Sequence, residues 1–106
     1  MISMNEFKCG VWNNNRETFM IGAFRSRQQV LLFIDNMKRS GASARIINTP
    51  HEIKIGCGLS AAFDEKYYDV AKKIVRDKRP TAFVGFYKGV PDGVRVRIEP
   101  AMRFLG

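Results

Sequence analysis

The chain has 106 residues, of which 45% are hydrophobic and 26% are charged, so it can bury one hydrophobic core but hardly two. No apolar run approaches the roughly 20 residues of a transmembrane helix, and residues 1–16 lack the apolar core of a signal peptide, so we expect a single cytoplasmic domain with no membrane segment. The net charge of +8, from 18 Lys and Arg against 10 Asp and Glu, favours anionic partners.

Residues 1–17 mix polar residues with a few apolar ones, and Asn13-Asn14-Asn15 is typical of a turn. We expect this segment to form either a mobile arm or an extra edge strand packed by Trp12. Residues 18–87 should form the core of the domain, and residues 88–106 should form a C-terminal hairpin extension.

The first regular elements are a strand and a helix. Residues 18–24 are continuously apolar and flanked by polar residues, which predicts a buried central strand. Ser26 and Gln29 match a capping box, in which the serine hydroxyl accepts from the Gln29 N–H and the Gln29 amide reaches back to the cap. A helix should begin there and end before Gly41. Its predicted apolar stripe comprises Val30, Leu31, Phe33, Ile34 and Met37.

Two more strands and a second helix follow. Residues 43–48 should form a strand that ends before Pro50, because proline cannot donate to a ladder. Residues 59–63 should form a short strand of mostly small residues. Asp64 is a good N-cap for a helix that runs to Lys78. The predicted apolar stripe of this helix comprises Tyr67, Val70, Ala71, Ile74 and Val75.

Two final strands complete the pattern. Residues 81–87 are rich in β-branched and aromatic residues and predict a fourth strand. After the turn signal Pro91-Asp92-Gly93, residues 94–99 alternate between apolar and charged, which predicts a half-exposed fifth strand. The order β-α-β-β-α-β indicates an α+β fold, a ferredoxin-like sandwich with two helices on one face of an antiparallel sheet, extended by a C-terminal hairpin strand.

One loop holds the residues most suited to chemistry. His51 is the only histidine, and Cys57 is one of two cysteines. Gly56 and Gly58 flank Cys57, leave space around its sulfur, and have amides that could form a small anion-binding concavity. The other cysteine, Cys9, lies 48 positions away, and we expect both thiols to be reduced rather than joined in a disulfide.

The predicted topology gives this loop a neighbour. The third strand would run antiparallel to the first, so Cys57 should lie near the start of the first helix, close to Arg25, Ser26 and Arg27. A helix N-terminus and nearby arginines favour the thiolate, which is the reactive form of cysteine. Two alternatives stay open: Cys57 as a buried structural residue, and His51 as a solvated side chain rather than a base for Cys57.

Other kinds of site do not fit the sequence. Cys9, His51 and Cys57 offer at most three soft ligands without the paired spacing of a zinc site, so no metal is expected. No nucleotide-binding motif follows the cysteine, so no cofactor is expected. RNA-recognition domains share this order of elements, but their third strand carries stacking aromatics, whereas residues 54–63 contain one aromatic, Phe63. Nucleic acid is therefore not expected as a partner.

Several short motifs, each present once, follow one another at a recognisable spacing. They are Phe24 and Ser26 at the first strand–helix junction, Thr49-Pro50-His51-Glu52-Ile53, Cys57-Gly58-Leu59, and Phe63. Together they resemble a family of small bacterial domains, the selenium/sulfur carrier-like proteins, over about residues 18–87. The resemblance implies that Cys57 carries sulfur or selenium, with Gly58 as its partner. Lys54-Ile55-Gly56 departs from the small polar residues that often precede the cysteine in that family.

Two functional hypotheses follow. In the first, the protein is a small carrier or redox-linked protein rather than an enzyme. Cys57 then accepts sulfur or selenium from a protein donor as a persulfide or selenide and passes it to a protein acceptor, while His51 assists proton transfer. In the second, the protein is a non-catalytic binding module, either an interaction domain that forms a homodimer through its sheet or a weak, basic RNA binder.

Overall fold

The computed structural model of the protein describes residues 17–53 and 58–103. Residues 1–16 of the predicted N-terminal arm (residues 1–17) lie outside the described residues, as do residues 54–57 and 104–106. Five antiparallel strands form one sheet in the order β2-β3-β1-β4-β5, accompanied by two helices, which confirms the α+β class. The elements are β1 (Phe19–Phe24), α1 (Arg27–Arg39), β2 (Ala44–Asn48), β3 (Leu59–Asp64), a 3₁₀ helix (Glu65–Tyr67), α2 (Tyr68–Lys78), β4 (Phe83–Asp92) and β5 (Arg95–Arg103).

Strand β1 lies between β3 and β4, as its continuous apolar run predicts. Met20 and Phe24 point to the face that the helices cover, while Ile21 and Ala23 point to the other face, and all four are fully buried. A strand that buries both faces has no polar alternation. The absence of alternation in this segment is therefore a consequence of its central position.

Helix α1 begins where the cap signal predicts. The Ser26 hydroxyl accepts from the Gln29 N–H at 3.3 Å, and Gly41 ends the last turn with a φ of +84° that glycine adopts without strain. Val30, Phe33 and Met37 are buried and Ile34 packs against them. The predicted burial of Leu31 is wrong, since the residue is 47% exposed. It lies about 100° around the helix from Val30, on the solvent side.

Helix α2 ends at Lys78 as predicted, but it begins at Tyr68, after a 3₁₀ turn, rather than directly after Asp64. The Asp64 carboxylate accepts from the Lys66 N–H at 2.9 Å and caps the 3₁₀ helix that leads into α2. Ala71 and Val75 are buried, and the rest of the predicted stripe is partly buried against the same core. Arg79 ends the helix in the left-handed conformation, with a φ of +49°.

Aromatic rings fill the space between the helices and the sheet. Their centroids lie 4.9 to 6.2 Å apart, in tilted or edge-on pairs. Such pairs contribute about 0.5–1.5 kcal/mol each beyond the burial of their area. One ring comes from β1, one from α1, one from β3 and two from β4, so the cluster ties these four elements together. The rings are those of Phe24, Phe33, Phe63, Phe83 and Phe86.

The opposite face of the sheet has its own apolar cluster. Ile53, from the segment that follows β2, is only 4% exposed and packs with Ile21 and Ala23. The chain after β2 therefore folds back over the face that the helices leave open.

The β4–β5 hairpin is longer than predicted. Strand β4 continues to Asp92, and the turn consists of Gly93, with a φ of +70°, and Val94. Pro91 lies within β4, opposite Val96, rather than in the turn. Beyond Gly89, β4 pairs with β5 alone among the described strands. Proline has no N–H to donate to a neighbouring strand, and it is therefore tolerated where one side of a strand has no partner.

Gly89 provides a test of the sheet packing, because Phe19 lies opposite it and a Cβ at Gly89 would overlap the Phe19 ring. We expect Gly89→Ala to lower the free energy of unfolding by about 1–3 kcal/mol, since the ring must leave the strand surface. Urea denaturation measures this change.

Gly22→Ala is the matched control. Its Cβ would lie 3.4 Å from the nearest atom, on the Phe86 ring, which is ordinary contact. We expect a change within about 1 kcal/mol, partly offset by the lower entropy that alanine gives the unfolded chain. Equal destabilisation by the two substitutions would contradict the proposed packing of Phe19 on Gly89.

Candidate functional site

Several ends of strands and helices meet at one edge of the sheet. Because β1 pairs antiparallel with both β3 and β4, its C-terminal end lies beside the first residues of those two strands. Helix α1 begins at this edge, and α2 ends there before β4 starts. We call it the junction edge and define it by residues 25–29, 49–53, 58–60 and 79–82.

Hydrogen bonds fix the start of α1 to the start of β4. The Arg25 N–H donates to the Ala82 carbonyl oxygen at 2.7 Å. The Gln29 amide oxygen accepts from the Ala82 N–H at 2.8 Å, and its nitrogen donates to the Thr81 hydroxyl at 3.0 Å. The predicted reach of Gln29 back to Ser26 is therefore wrong, because both ends of the amide bond to the segment before β4.

The start of α1 is positively charged. Arg25 and Arg27 are exposed, and neither forms an ion pair with another described residue. The first turn contains no acidic residue. The helix dipole adds a partial positive charge at the same place, so this end of the helix favours an anion.

Hydrogen bonds join the residue that follows β2 to the residues at the start of β3. The Thr49 N–H donates to the Gly58 carbonyl oxygen at 2.8 Å, and the Thr49 and Ser60 hydroxyls are 2.7 Å apart. Ser60 is fully buried, so this bond satisfies a polar group that water does not reach. The Ile53 N–H donates to the Pro50 carbonyl oxygen at 3.0 Å and forms a turn. Thr49 and Ser60 were not predicted from the sequence, since nothing local distinguishes them.

The structure brings some of the predicted site residues together. Ala23 pairs with Ser60, so the chain continues on one side to Arg25 and on the other to Gly58, and both lie at the junction edge as the topology predicts. Gly56 and Cys57 lie outside the described residues. His51 is exposed in the turn that Ile53 closes. Within residues 17–53 and 58–103, no hydrogen bond joins the His51 ring to another side chain.

Other features of the described residues lie away from this edge. Two open depressions of about 500 and 540 Å³ lie at the other edge of the sheet, where β1 begins and β3 ends. Both are lined by Asp64 and Lys66. At the hairpin, the hydrogen bond from Arg97 to Glu99, 2.8 Å long, raises the pKa of the Arg97 guanidinium.

In the described ranges, no three His, Cys, Asp or Glu side chains are grouped so as to hold a metal ion. No helix there is long and apolar enough to cross a membrane.

These observations define a small α+β fold in which the start of a helix with two exposed arginines, Arg25 and Arg27, lies at the same edge of the sheet as the hydrogen bond between Thr49 and Gly58. Residues 20–88 match the family described as "Putative Se/S carrier protein-like". Because the match covers more than half of the chain, the protein belongs to that family, and the resemblance stated from the motifs is confirmed. The match runs from β1 into β4 and includes the whole junction edge. No curated protein and no solved structure matches the chain.

The Gln29 contacts provide a test of how the junction edge is held. We expect Gln29→Ala to lower the free energy of unfolding by about 1–2 kcal/mol, because the partly buried Ala82 N–H loses its acceptor. Gln29→Glu keeps that acceptor and loses the donor to Thr81, so its effect should be smaller. Chemical denaturation measures both variants.

Gln28→Ala is the control at the neighbouring position. Gln28 is exposed and makes no side-chain hydrogen bond with a described residue, so we expect a change within about 0.5 kcal/mol. A Gln29→Ala variant as stable as Gln28→Ala would show that the bonds to Thr81 and Ala82 do not hold the edge.

Proposed function

We propose that the protein is a sulfur or selenium carrier in which Cys57 accepts the transferred atom as a persulfide or selenide. Membership of a family described as Se/S carrier-like supports this proposal. The position of Gly58 is the structural observation that carries it. Thr49 holds Gly58 at the junction edge, and adjacent Cα atoms are about 3.8 Å apart, so Cys57 is bonded to a residue of that edge.

The charge at the junction edge suits an anionic sulfur. A thiolate and a persulfide are both stabilised by a helix N-terminus and by nearby guanidinium groups. Arg25 and Arg27 supply two such groups, and Ser26 fixes the helix start between them. A Cβ added at Gly58 would meet no atom within 4 Å, which leaves room beside the chain at this position. We propose that His51, exposed in the preceding turn, assists proton transfer.

The proposed transfer needs no external oxidant. The Cys57 thiolate attacks the outer sulfur of a persulfide on the donor protein. A new S–S bond forms on Cys57, the S–S bond of the donor breaks, and the donor leaves as a thiolate. A thiolate on the acceptor then repeats the exchange. The protein is thus a carrier between two protein partners rather than an enzyme with its own substrate pocket.

The fold assignment belongs to the same proposal. We propose that the sheet is ferredoxin-like and that the chain forms one cytoplasmic domain. The pairing of β1 with both β3 and β4, with β2 outside β3, supports the split arrangement of two crossover units. Strand β5 is then an addition on the outer side of β4.

A binding module without covalent chemistry is the second candidate. Strand β2 pairs only with β3 among the described strands, and Ile46 on it is 45% exposed. An edge strand with an exposed apolar side chain can pair with a second copy of the chain. Dimerisation that is unchanged in Cys57→Ser, together with an unreactive thiol, would favour this function over the carrier.

Mass spectrometry tests the carrier function. The protein is incubated with a cysteine desulfurase and cysteine, and we expect an adduct of about 32 Da, which is the mass of one sulfur atom. The adduct should form in the wild type and in Cys9→Ser and should be lost on treatment with dithiothreitol.

Cys57→Ala is the decisive variant, since it removes the proposed sulfur acceptor and keeps Cys9. We expect no adduct on this protein. If the wild type never gains the adduct, or if Cys57→Ala gains it to the same extent, Cys57 is not the carrier.

A further inference from the structure

Basic residues stand at the two helix ends that meet the junction edge, the start of α1 and the end of α2. Arg25 and Arg27 stand at the start of α1, and α2 ends at the same edge. The segment after α2 reaches Ala82, whose carbonyl oxygen bonds to the Arg25 N–H. We call this group the cationic edge. Its members are Arg25, Arg27, Arg76, Lys78 and Arg79.

Most acidic side chains of the described chain pair with cations that are not members of the cationic edge. Ion pairs of 2.8 to 3.6 Å occupy six of them, and Asp64 caps the 3₁₀ helix. None of these ion pairs includes a member of the cationic edge. The pairs are Asp35 with Arg39, Glu65 with Lys88, Asp69 with Lys72, Asp77 with Lys73, and both Asp92 and Glu99 with Arg97.

Few carboxylates remain for five cations. Glu17 precedes β1 at the opposite end of the sheet, and Glu52 forms no ion pair with a described residue. Outside the described ranges the sequence contains one acidic residue, Glu6. Most of the positive charge at the cationic edge is therefore available to a partner.

Hydrogen bonds hold the backbone that carries the cationic edge. Gln29 bonds to Thr81 and Ala82, which ties the two helix ends together. Arg79 adopts the left-handed conformation that closes α2. Charges held on two packed helices lose less entropy on binding than charges on a disordered tail. They also speed up association with an oppositely charged surface.

The surroundings favour an acidic protein over a single-stranded nucleic acid. Single-stranded nucleic acids bind where aromatic rings are open to stacking bases. Within residues 17–53 and 58–103, the rings nearest this edge are those of Phe24 and Phe83, and both are buried. Tyr67 and Tyr68 lie at the start of α2, at the other end of the helix.

We propose that the cationic edge is the docking surface for an acidic segment of a protein partner. The identification of that partner as the donor or acceptor of sulfur rests on the proposed function. Arg25 lies at the same edge of the sheet as Gly58, the residue to which Cys57 is attached, so a bound partner would bring its own sulfur to the edge next to the carrier cysteine.

Fluorescence anisotropy with a labelled oligoglutamate of about 20 residues tests the docking surface, with a labelled oligouridylate of the same charge as the comparison. The edge variant is Arg76→Glu/Lys78→Glu, and the control is Lys38→Glu/Arg95→Glu. Each reversal changes the charge by two, so both double variants fall from +8 to +4. The edge variant places two glutamates in the last turn of α2, whereas the control places one in the last turn of α1 and one in β5, so the two variants are matched in net charge only.

We expect the edge variant to bind oligoglutamate at least about tenfold more weakly than the wild type, and the control to lose less than about threefold. Equal losses in the two variants, no binding by the wild type at low salt, or tighter binding of oligouridylate than of oligoglutamate would overturn the proposal.

The docking surface and the carrier function can fail separately. Oligoglutamate binding requires no thiol, so Cys57→Ser should bind like the wild type even if no persulfide ever forms. Loading of Cys57 from inorganic polysulfide requires no docked protein, so the adduct of about 32 Da should form equally in the edge variant and the control.

Discussion

The antiparallel pairing of β1 with β3 on one side and β4 on the other is the constraint on which the rest of the structure depends. It places the end of β1 beside the first residues of both neighbours, and the junction edge follows from that arrangement. A slip of one residue would move every side chain of β1 to the other face. Phe24 would then leave the aromatic cluster, and Ile21 would leave the cluster that Ile53 covers.

Two kinds of contact, apolar packing of the helices and hydrogen bonds between the connecting segments, build the candidate site on this pairing. The aromatic cluster holds α1 on the sheet, and α2 packs against the same core through Ala71, Val75 and the edge-on contact of Tyr68 with Phe86. Polar contacts of Gln29, Thr49 and Ser60 then fix the segments between the elements. The result is a positively charged edge that includes Gly58, the residue next to Cys57 in the chain. In the proposed function the same charges would stabilise an anionic sulfur and attract an acidic protein.

The elements of the fold were largely predictable because their signals are local. The Ser26 and Asp64 caps, the positive φ of Gly41 and the apolar run of β1 each act within a few residues. The alternation of residues 94–99 likewise predicted β5. The extent of β4 was not predictable, since it depends on where β1 stops pairing beyond Gly89. The proximity of Gly58 to Arg25 followed from topology, whereas the bonds of Gln29 to residues 52 and 53 positions away could not be read from the sequence.

The reactivity of the Cys57 thiol tests the central claim most directly, because it depends on both the position of the thiol and the charge around it. In a Cys9→Ser background, the rate of alkylation by iodoacetamide at pH 7 is measured for the folded protein and for the protein unfolded in urea. Stabilisation of the thiolate at the junction edge predicts a rate at least about fivefold higher in the folded protein. A folded rate equal to or below the unfolded rate would contradict the account and identify Cys57 as a structural residue.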